Sequence, residues 1–141
     1  MGTYPLSLDP KKRLTIPAGW RDYAGLAAGG LYVLPNLEGK ISLNVYPAQE
    51  IIQRLSSLRN LSIADVKGRQ FARILGSQSQ LVTWDSAGRI RVNDRLLEYG
   101  KLTDQVTVVG AFDHFELWNP ELCKVDIEMA DLGEAARSIG F

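Results

Sequence analysis

The sequence predicts an α+β fold, mainly β, in which two copies of one small unit share a single core. The first observation is an internal repeat. Asp9-Pro-Lys-Lys-Arg13-Leu-Thr-Ile-Pro17 returns as Asp85-Ser-Ala-Gly-Arg89-Ile-Arg-Val-Asn93, and Tyr23 and Leu26 return as Tyr99 and Leu102, all at an offset of 76 positions. Self-similarity at a fixed offset marks one supersecondary unit used twice. The second observation is the order of elements: each copy reads strand, turn, strand, short helix, hairpin, longer helix. The third is size. So few strands per copy cannot bury both faces, so the copies are expected to pack as one barrel-like core with pseudo-twofold symmetry and flanking helices. A chain of 141 residues suits one compact domain. It divides into a first unit (1–46), a helical linker (47–76), a second unit (77–119) and a C-terminal helix (120–141).

The elements follow from local chemistry. Thr3 to Leu8 reads as a strand, Asp9 to Lys12 as a tight turn, and Arg13 to Ile16 as the returning strand. Pro10 after Asp9 is ordinary turn composition. Pro17 suits the first position of a short helix, Ala18 to Leu26. Leu31 to Leu34 and Ile41 to Val45 form a hairpin around Pro35-Asn-Leu-Glu-Gly39. Pro47 starts a helix with Ile51, Ile52, Leu55 and Leu58 at helical spacing. Ser62 with Asp65 resembles a capping-box variant for a second helix, apolar along Ile63, Val66, Phe71, Ile74 and Leu75, which Gly76 stops. In the second unit Leu81 to Trp84 is a strand, Asp85 to Gly88 the turn, and Arg89 to Val92 the return. Asn93 or Asp94 caps a helix through Tyr99. Gln105 to Gly110 and Phe115 to Trp118 form a hairpin around Asp113-His114, and Pro120 opens a final helix carrying Leu122, Val125, Ile127, Met129 and Leu132.

Composition narrows the classes. Hydrophobic residues make 45% and charged residues 23%, as in an ordinary soluble globular protein. Apolar runs fall far short of the ~20 residues a membrane span needs, so no transmembrane helix is expected. The N-terminus lacks the basic-then-apolar pattern of a secretory signal. The single cysteine, Cys123, allows no internal disulfide, fits a reducing cytoplasm and is expected as a small buried hydrophobe. Net charge is zero but unevenly spread: residues 1–101 carry 14 Lys/Arg against 8 Asp/Glu, and residues 102–141 carry 2 against 8. This is either a basic body balanced by an acidic terminal helix, or a basic binding face with the acidic tail directed elsewhere.

Both copies keep an Asp and an Arg four residues apart ahead of an apolar strand, a pair no core requires. Lys11, Lys12 and Arg13, and Arg89, Arg91 and Arg95, make two basic clusters at equivalent places. Arginine offers a planar fork suited to phosphate or a guanine edge, whereas lysine acts as a point charge. A projecting turn is narrow enough to approach a groove. Asp9 and Asp85 are expected to pin their turns, by ion pairs and by accepting backbone N–H groups. The first turn is the more basic, so Arg13 is expected to matter more for DNA than Arg89, whose turn more resembles a structural ion pair with Asp85. Arg21 is explained by a solvated helix face. Enzyme readings find little support. His114 beside Asp113 has no nominated nucleophile and reads as an exposed turn histidine. No metal-ligand spacing and no glycine-rich phosphate loop occurs, so no metal, cofactor or small-molecule substrate is expected. Trp20, Trp84 and Trp118 read as core or subunit-interface aromatics. Two functions stay open: binding of double-stranded DNA, or an oligomeric partner-binding or assembly role that keeps the fold without specific DNA contact.

The pattern Asp-x-x-x-Arg-(Leu/Ile)-x-(Ile/Val)-Pro before a short helix resembles the AbrB/SpoVT swapped-hairpin DNA-binding fold. Two such units joined by a helical linker resemble the MraZ family, bacterial regulators of the division and cell-wall gene cluster. The stretches carrying the likeness are Thr3 to Ile16, Phe71-Ala-Arg73, Trp84 to Ile90, Tyr99-Gly-Lys-Leu102, Val106 to Gly110 and Phe115-Glu-Leu-Trp118. Two departures stand out. The family's Lys-Gly-Arg in the first turn is Lys11-Lys12-Arg13 here, and Val92-Asn93 replaces Ile-Pro. Gly88 admits a positive φ, so Lys12 at the equivalent place implies a strained turn or another turn type. The resemblance implies two swapped-hairpin units and a cytoplasmic, nucleoid-associated transcriptional regulator that also controls its own gene. It further implies a ring-like homo-oligomer on promoter repeats, with Arg13, Lys11, Lys12, Arg89 and Arg91 at the DNA and Asp9, Asp85 and Gly88 shaping the turns.

Overall fold

Short apolar runs bounded by turn residues become strands in all eight places where the sequence predicts them. The computed structural model describes residues 2–21, 30–60, 62–126 and 132–141. Its elements are β1 (Thr3–Ser7), β2 (Arg13–Thr15), α1 (Ala18–Arg21), β3 (Leu31–Pro35), β4 (Ser42–Pro47), α2 (Ala48–Leu58), α3 (Val66–Gln78), β5 (Gln80–Val82), β6 (Arg89–Arg91), α4 (Asp94–Tyr99), β7 (Gln105–Gly110), β8 (Phe115–Trp118), α5 (Pro120–Asp126) and α6 (Leu132–Ser138). The fold is α+β and mainly β.

Six strands form one antiparallel sheet in the order β1-β7-β8-β4-β3-β5, and β2 pairs with β6 as a separate ribbon. Exchanging the two copies leaves this order unchanged. Each edge strand pairs with the other copy: Leu6 of β1 lies opposite Val106 of β7, and Val82 of β5 opposite Leu31 of β3. The copies also meet at the centre, where Asn44 of β4 faces Glu116 of β8, and in the ribbon, where Leu14 faces Ile90. The two copies are therefore interlocked. The sheet itself is open, so its ladders do not show the barrel expected from the sequence. The returning strands β2 and β6 pair with each other, and no ladder among the described residues joins edges β1 and β5.

Sheet and ribbon feed one core. Leu14, Ile16 and Trp20 of the first copy and Ile90, Val92 and Leu96 of the second are buried together at the repeat offset, against Val33, Val45, Val108 and Phe115. Burial of each such side chain is worth about 1.5–3 kcal/mol. Trp20 and Trp118 are buried, Trp84 packs half-buried on the same cluster, and Cys123 is buried. Leu34, Tyr46 and Ile51 form a smaller cluster that seats α2 and α3. Ile52, Val66, Phe71 and Ile74 on those helices remain exposed. No helix among the described residues is long and apolar enough to cross a membrane.

Several element ends differ from expectation. Gly76 does not stop its helix: α3 runs on to Gln78 and closes with the Ser79 amide donating to the Leu75 carbonyl. A lone helical glycine costs only about 1 kcal/mol, too little to end a packed helix. Asp65 rather than Ser62 caps α3, accepting from the Gly68 amide at 2.8 Å. Asn93 rather than Asp94 caps α4, accepting from the Leu96 amide at 2.8 Å. The expected helix 18–26 is described only as far as Arg21. Residues 127–131, with Ile127 and Met129, which the sequence assigns to a final helix, also lie outside the described residues.

Candidate nucleic-acid interface

An aspartate heading a tight turn can accept hydrogen bonds from the backbone that follows it. Asp9 Oδ1 accepts from the Arg13 amide at 2.8 Å, and Oδ2 from Arg13 Nε at 2.7 Å. Asp85 makes the same two bonds with Arg89, at 3.0 and 2.8 Å, and accepts from the Ala87 amide at 2.9 Å. The backbones match as well. The Lys12 amide donates to the Asp9 carbonyl at 2.8 Å, and the Gly88 amide to the Asp85 carbonyl at 2.9 Å. Each connection is a three-residue hairpin loop closed by a residue in the left-handed region. That residue is Lys12 (φ 61°) in one turn and Gly88 (φ 77°) in the other. Lys12 thus accepts the strained backbone and keeps the turn. Backbone bonds from Arg13 and Arg89 hold both aspartate carboxyls below their ordinary range, with the side-chain bonds adding to the effect.

Each turn rests on the short helix of the other copy. Lys12 Nζ reaches Asp94 at the start of α4, at 3.1 Å. Gly88 is buried under Arg21 at the end of α1, where a Cβ built on the glycine would fall 2.5 Å from Arg21 Cζ. Arg91 Nη2 also reaches Asp94, at 3.0 Å, and its Nη1 donates to the Val92 carbonyl. Asp94 therefore sits between two cations, and bonds from Arg91 and then Lys12 hold its carboxyl low.

The ribbon gathers most of the basic residues singled out in the sequence. Arg13 lies opposite Arg91, and Thr15 opposite Arg89. Lys12 joins them through Asp94, while Lys11 is exposed at the first turn. Arg95 is not part of this group; it donates to the Ser77 carbonyl at 3.1 Å and ties α4 to the end of α3. The sequence ranks Arg13 above Arg89 for DNA contact; the geometry of the two turns does not separate them. Both are held by the same pair of bonds to an aspartate.

Two residues play parts that the sequence reading missed. Arg21 is half-buried over Gly88, with Nε buried and unbonded, and is not on a solvated face. The repeat held a signal: at the 76-residue offset its counterpart is Leu97, a core residue, which marks an inward position. His114 is only 14% exposed, with Nδ1 2.7 Å from Asp113 and Nε2 3.2 Å from Glu116. It stacks on Tyr46, whose ring also lies 5.0 Å from the Arg54 guanidinium. Arg54 binds Asp113 at 2.7 Å and Glu50 at 3.1 Å, and Trp118 Nε1 donates to Glu116 at 2.9 Å. This network fastens α2 to the β7–β8 hairpin. Among the described residues no group of three or more His, Cys, Asp or Glu is placed to hold a metal ion.

Two interlocked copies carry matched, arginine-bearing turns beside a shared ribbon, and together they make a tandem-repeat fold. A family model described as "MraZ protein, putative antitoxin-like" matches residues 76–123. The "Transcriptional regulator MraZ" of Corynebacterium jeikeium (strain K411) is 36% identical over 120 residues, 85% of this chain and 80% of that protein. Proteins of the same name from Neisseria meningitidis (strain DSM 15465 / Z2491) and Spiroplasma kunkelii are 34% and 31% identical. These cover 99% and 98% of this chain, and 94% of each relative. The chain belongs to the MraZ family of transcriptional regulators.

Proposed function

We propose that this protein binds double-stranded DNA sequence-specifically through the β2–β6 ribbon and the two turns that flank it. The carrying observation is the cross-copy pairing that puts Arg13, Arg89 and Arg91 on one two-stranded ribbon. A major groove admits a two-stranded ribbon, and an arginine fork fits the O6/N7 edge of guanine. Asp9 and Asp85 engage Nε, which fixes the direction of each guanidinium. Lys11 and Lys12 supply phosphate charge, and Gly88 shapes the second turn.

In this reading the units 1–46 and 77–119 are swapped-hairpin units joined by the linker 47–76. The targets are direct repeats upstream of the division and cell-wall gene cluster, including the protein's own gene. The protein assembles as a ring-like homo-oligomer in the cytoplasm, associated with the nucleoid. The exposed Ile52, Val66, Phe71 and Ile74 support assembly, as does a cavity of about 550 Å3 between α2 and α3 lined by Tyr32, Ile51, Leu55 and Leu75. Several weak sites linked in one particle gain effective concentration on closely spaced repeats. Repeats about one helical turn apart would present the same face to neighbouring subunits. No catalytic role is assigned.

A second reading, an assembly protein without specific DNA contact, draws on the carboxylate partners of Lys12, Arg13, Arg89 and Arg91. Salt dependence separates the two. Neutralising phosphates releases counterions, so DNA affinity falls steeply with salt. A gel shift on the DNA upstream of its own gene, repeated across a salt series, tests the proposal. Flat or absent binding at low salt favours the second reading.

A further inference from the structure

Arg21 differs from the other cations around the turns: among the described residues it is unpaired like the exposed Lys11, yet half-buried. Lys12, Arg13, Arg89 and Arg91 each have a carboxylate partner. Arg21 has none among the described residues, although it is half-buried and its Nε is shielded from water. A buried donor left unbonded opposes folding, and a charged one more so. An incoming anion at the terminal nitrogens would offset the cost of holding that charge half-buried.

The position of Arg21 says which anion. The first loop carries its own cations in Lys11 and Lys12, whereas the second reads Ser86-Ala87-Gly88 and has none. Arg21 lies over that neutral loop, brought there by the other copy. Gly88 makes the approach possible, since a Cβ there would come within 2.5 Å of Arg21 Cζ, 2.6 Å of Nη1 and 2.7 Å of Nε. Gly88 is buried where its counterpart Lys12 is exposed. Arg21 thus gives the second turn the charge that the first holds in its sequence.

Resting on the DNA-binding reading above, we infer that Arg21 is a phosphate-binding residue of the second turn. It takes one phosphodiester of the bound duplex across the boundary between the copies. A planar guanidinium suits a phosphate fork.

The test uses the full chain, the variants Arg21→Gln and Arg21→Lys, and two duplexes of equal length. One duplex holds the repeats upstream of the protein's own gene, and the other a scrambled sequence. Arg21→Gln should weaken both duplexes alike, by about threefold to tenfold at low salt. It should lower the salt slope by about one per engaged subunit. Arg21→Lys should retain the slope, and the melting temperature of Arg21→Gln should be unchanged or higher. An Arg21→Gln slope equal to wild type overturns the inference, as does a loss confined to the repeat duplex. Loss of slope in Arg21→Lys together with a lower melting temperature assigns a structural role instead. Stabilisation of wild type but not Arg21→Gln by inorganic phosphate at matched ionic strength, with DNA slopes equal, assigns a free-anion site instead. A wild-type chain that binds neither duplex removes the DNA reading and this assignment together. Steep wild-type binding matched by Arg21→Gln removes this assignment alone.

Discussion

Lys12 and Gly88 hold the same place in their two turns, both with positive φ, at 61° and 77°. Glycine adopts that region freely, whereas a residue with a side chain is held there at a cost of about 1–2 kcal/mol. Lys12→Gly is therefore expected to raise the melting temperature by about 2–4 °C, even though it removes the exposed contact with Asp94. Gly88→Ala is expected to lower it, because a side chain at φ 77° is strained, and to displace the Arg21 guanidinium. Thermal melts of both variants check this. A drop for Lys12→Gly would mean that its contact with Asp94 outweighs the backbone strain.

Asp94 holds both Lys12 and Arg91. Asp94→Asn should release two cations beside the ribbon and tighten binding to any duplex by about twofold to tenfold at low salt. The salt slope should steepen with it. Asn93, which caps α4, is untouched, so the helix should remain folded. Fluorescence anisotropy on the repeat and scrambled duplexes measures the effect; unchanged binding would place Asp94 outside the contact surface.

His114 gives the fold a pH dependence. Burial alone opposes its charge, but hydrogen bonds with Glu116 and Asp113 outweigh that and raise its pKa above the ordinary 6.5. Stability from the charged ring is therefore complete below pH 6.5 and is lost as pH rises through the raised folded value. Asp113 and Glu116 behave in the opposite sense. Burial pushes both up, but the bond with His114 brings them below 3.8 and 4.5, so their share is lost as pH falls into that range. Melting temperature should thus be highest between about pH 4.5 and 6.5 and fall towards about pH 8. His114→Phe keeps the ring stack on Tyr46 and should melt lower at about pH 6, with a flatter profile above it. A wild-type profile that stays level from about pH 6 to 8 would contradict this account.

Local pattern made most of the strands legible. Gln105–Gly110 and Phe115–Trp118 match their expected spans at both ends, because alternation and flanking turn residues bound them. Leu8, Ile16, Trp84 and Val92 fall just beyond their strands, where the ladders end. Which strand pairs with which was not legible in detail. Thr3 finds Val109 through the packing of the whole chain, and nothing near Thr3 announces it. The same holds at the site. The Asp–Arg bonds within each turn were readable from the spacing, but the Lys12–Asp94 contact and the seat of Arg21 on Gly88 depend on the interlock. His114 read as exposed because Tyr46, which stacks on it, and Arg54, which binds its neighbour Asp113, come from distant parts of the sequence.

On the proposed function, two matched turns and their ribbon contact DNA together. The most direct measurement is the affinity of wild type, Arg13→Ala and Arg89→Ala for the upstream duplex across a salt series, with melts of all three. Steep salt dependence is expected for wild type, and a loss of at least about tenfold for each variant, since an arginine–base contact is worth about 1–3 kcal/mol. Because Arg13 and Arg89 make the same bonds to Asp9 and Asp85, their melting temperatures should shift alike. Salt-insensitive binding by wild type, or full-strength binding by both variants, would contradict the account.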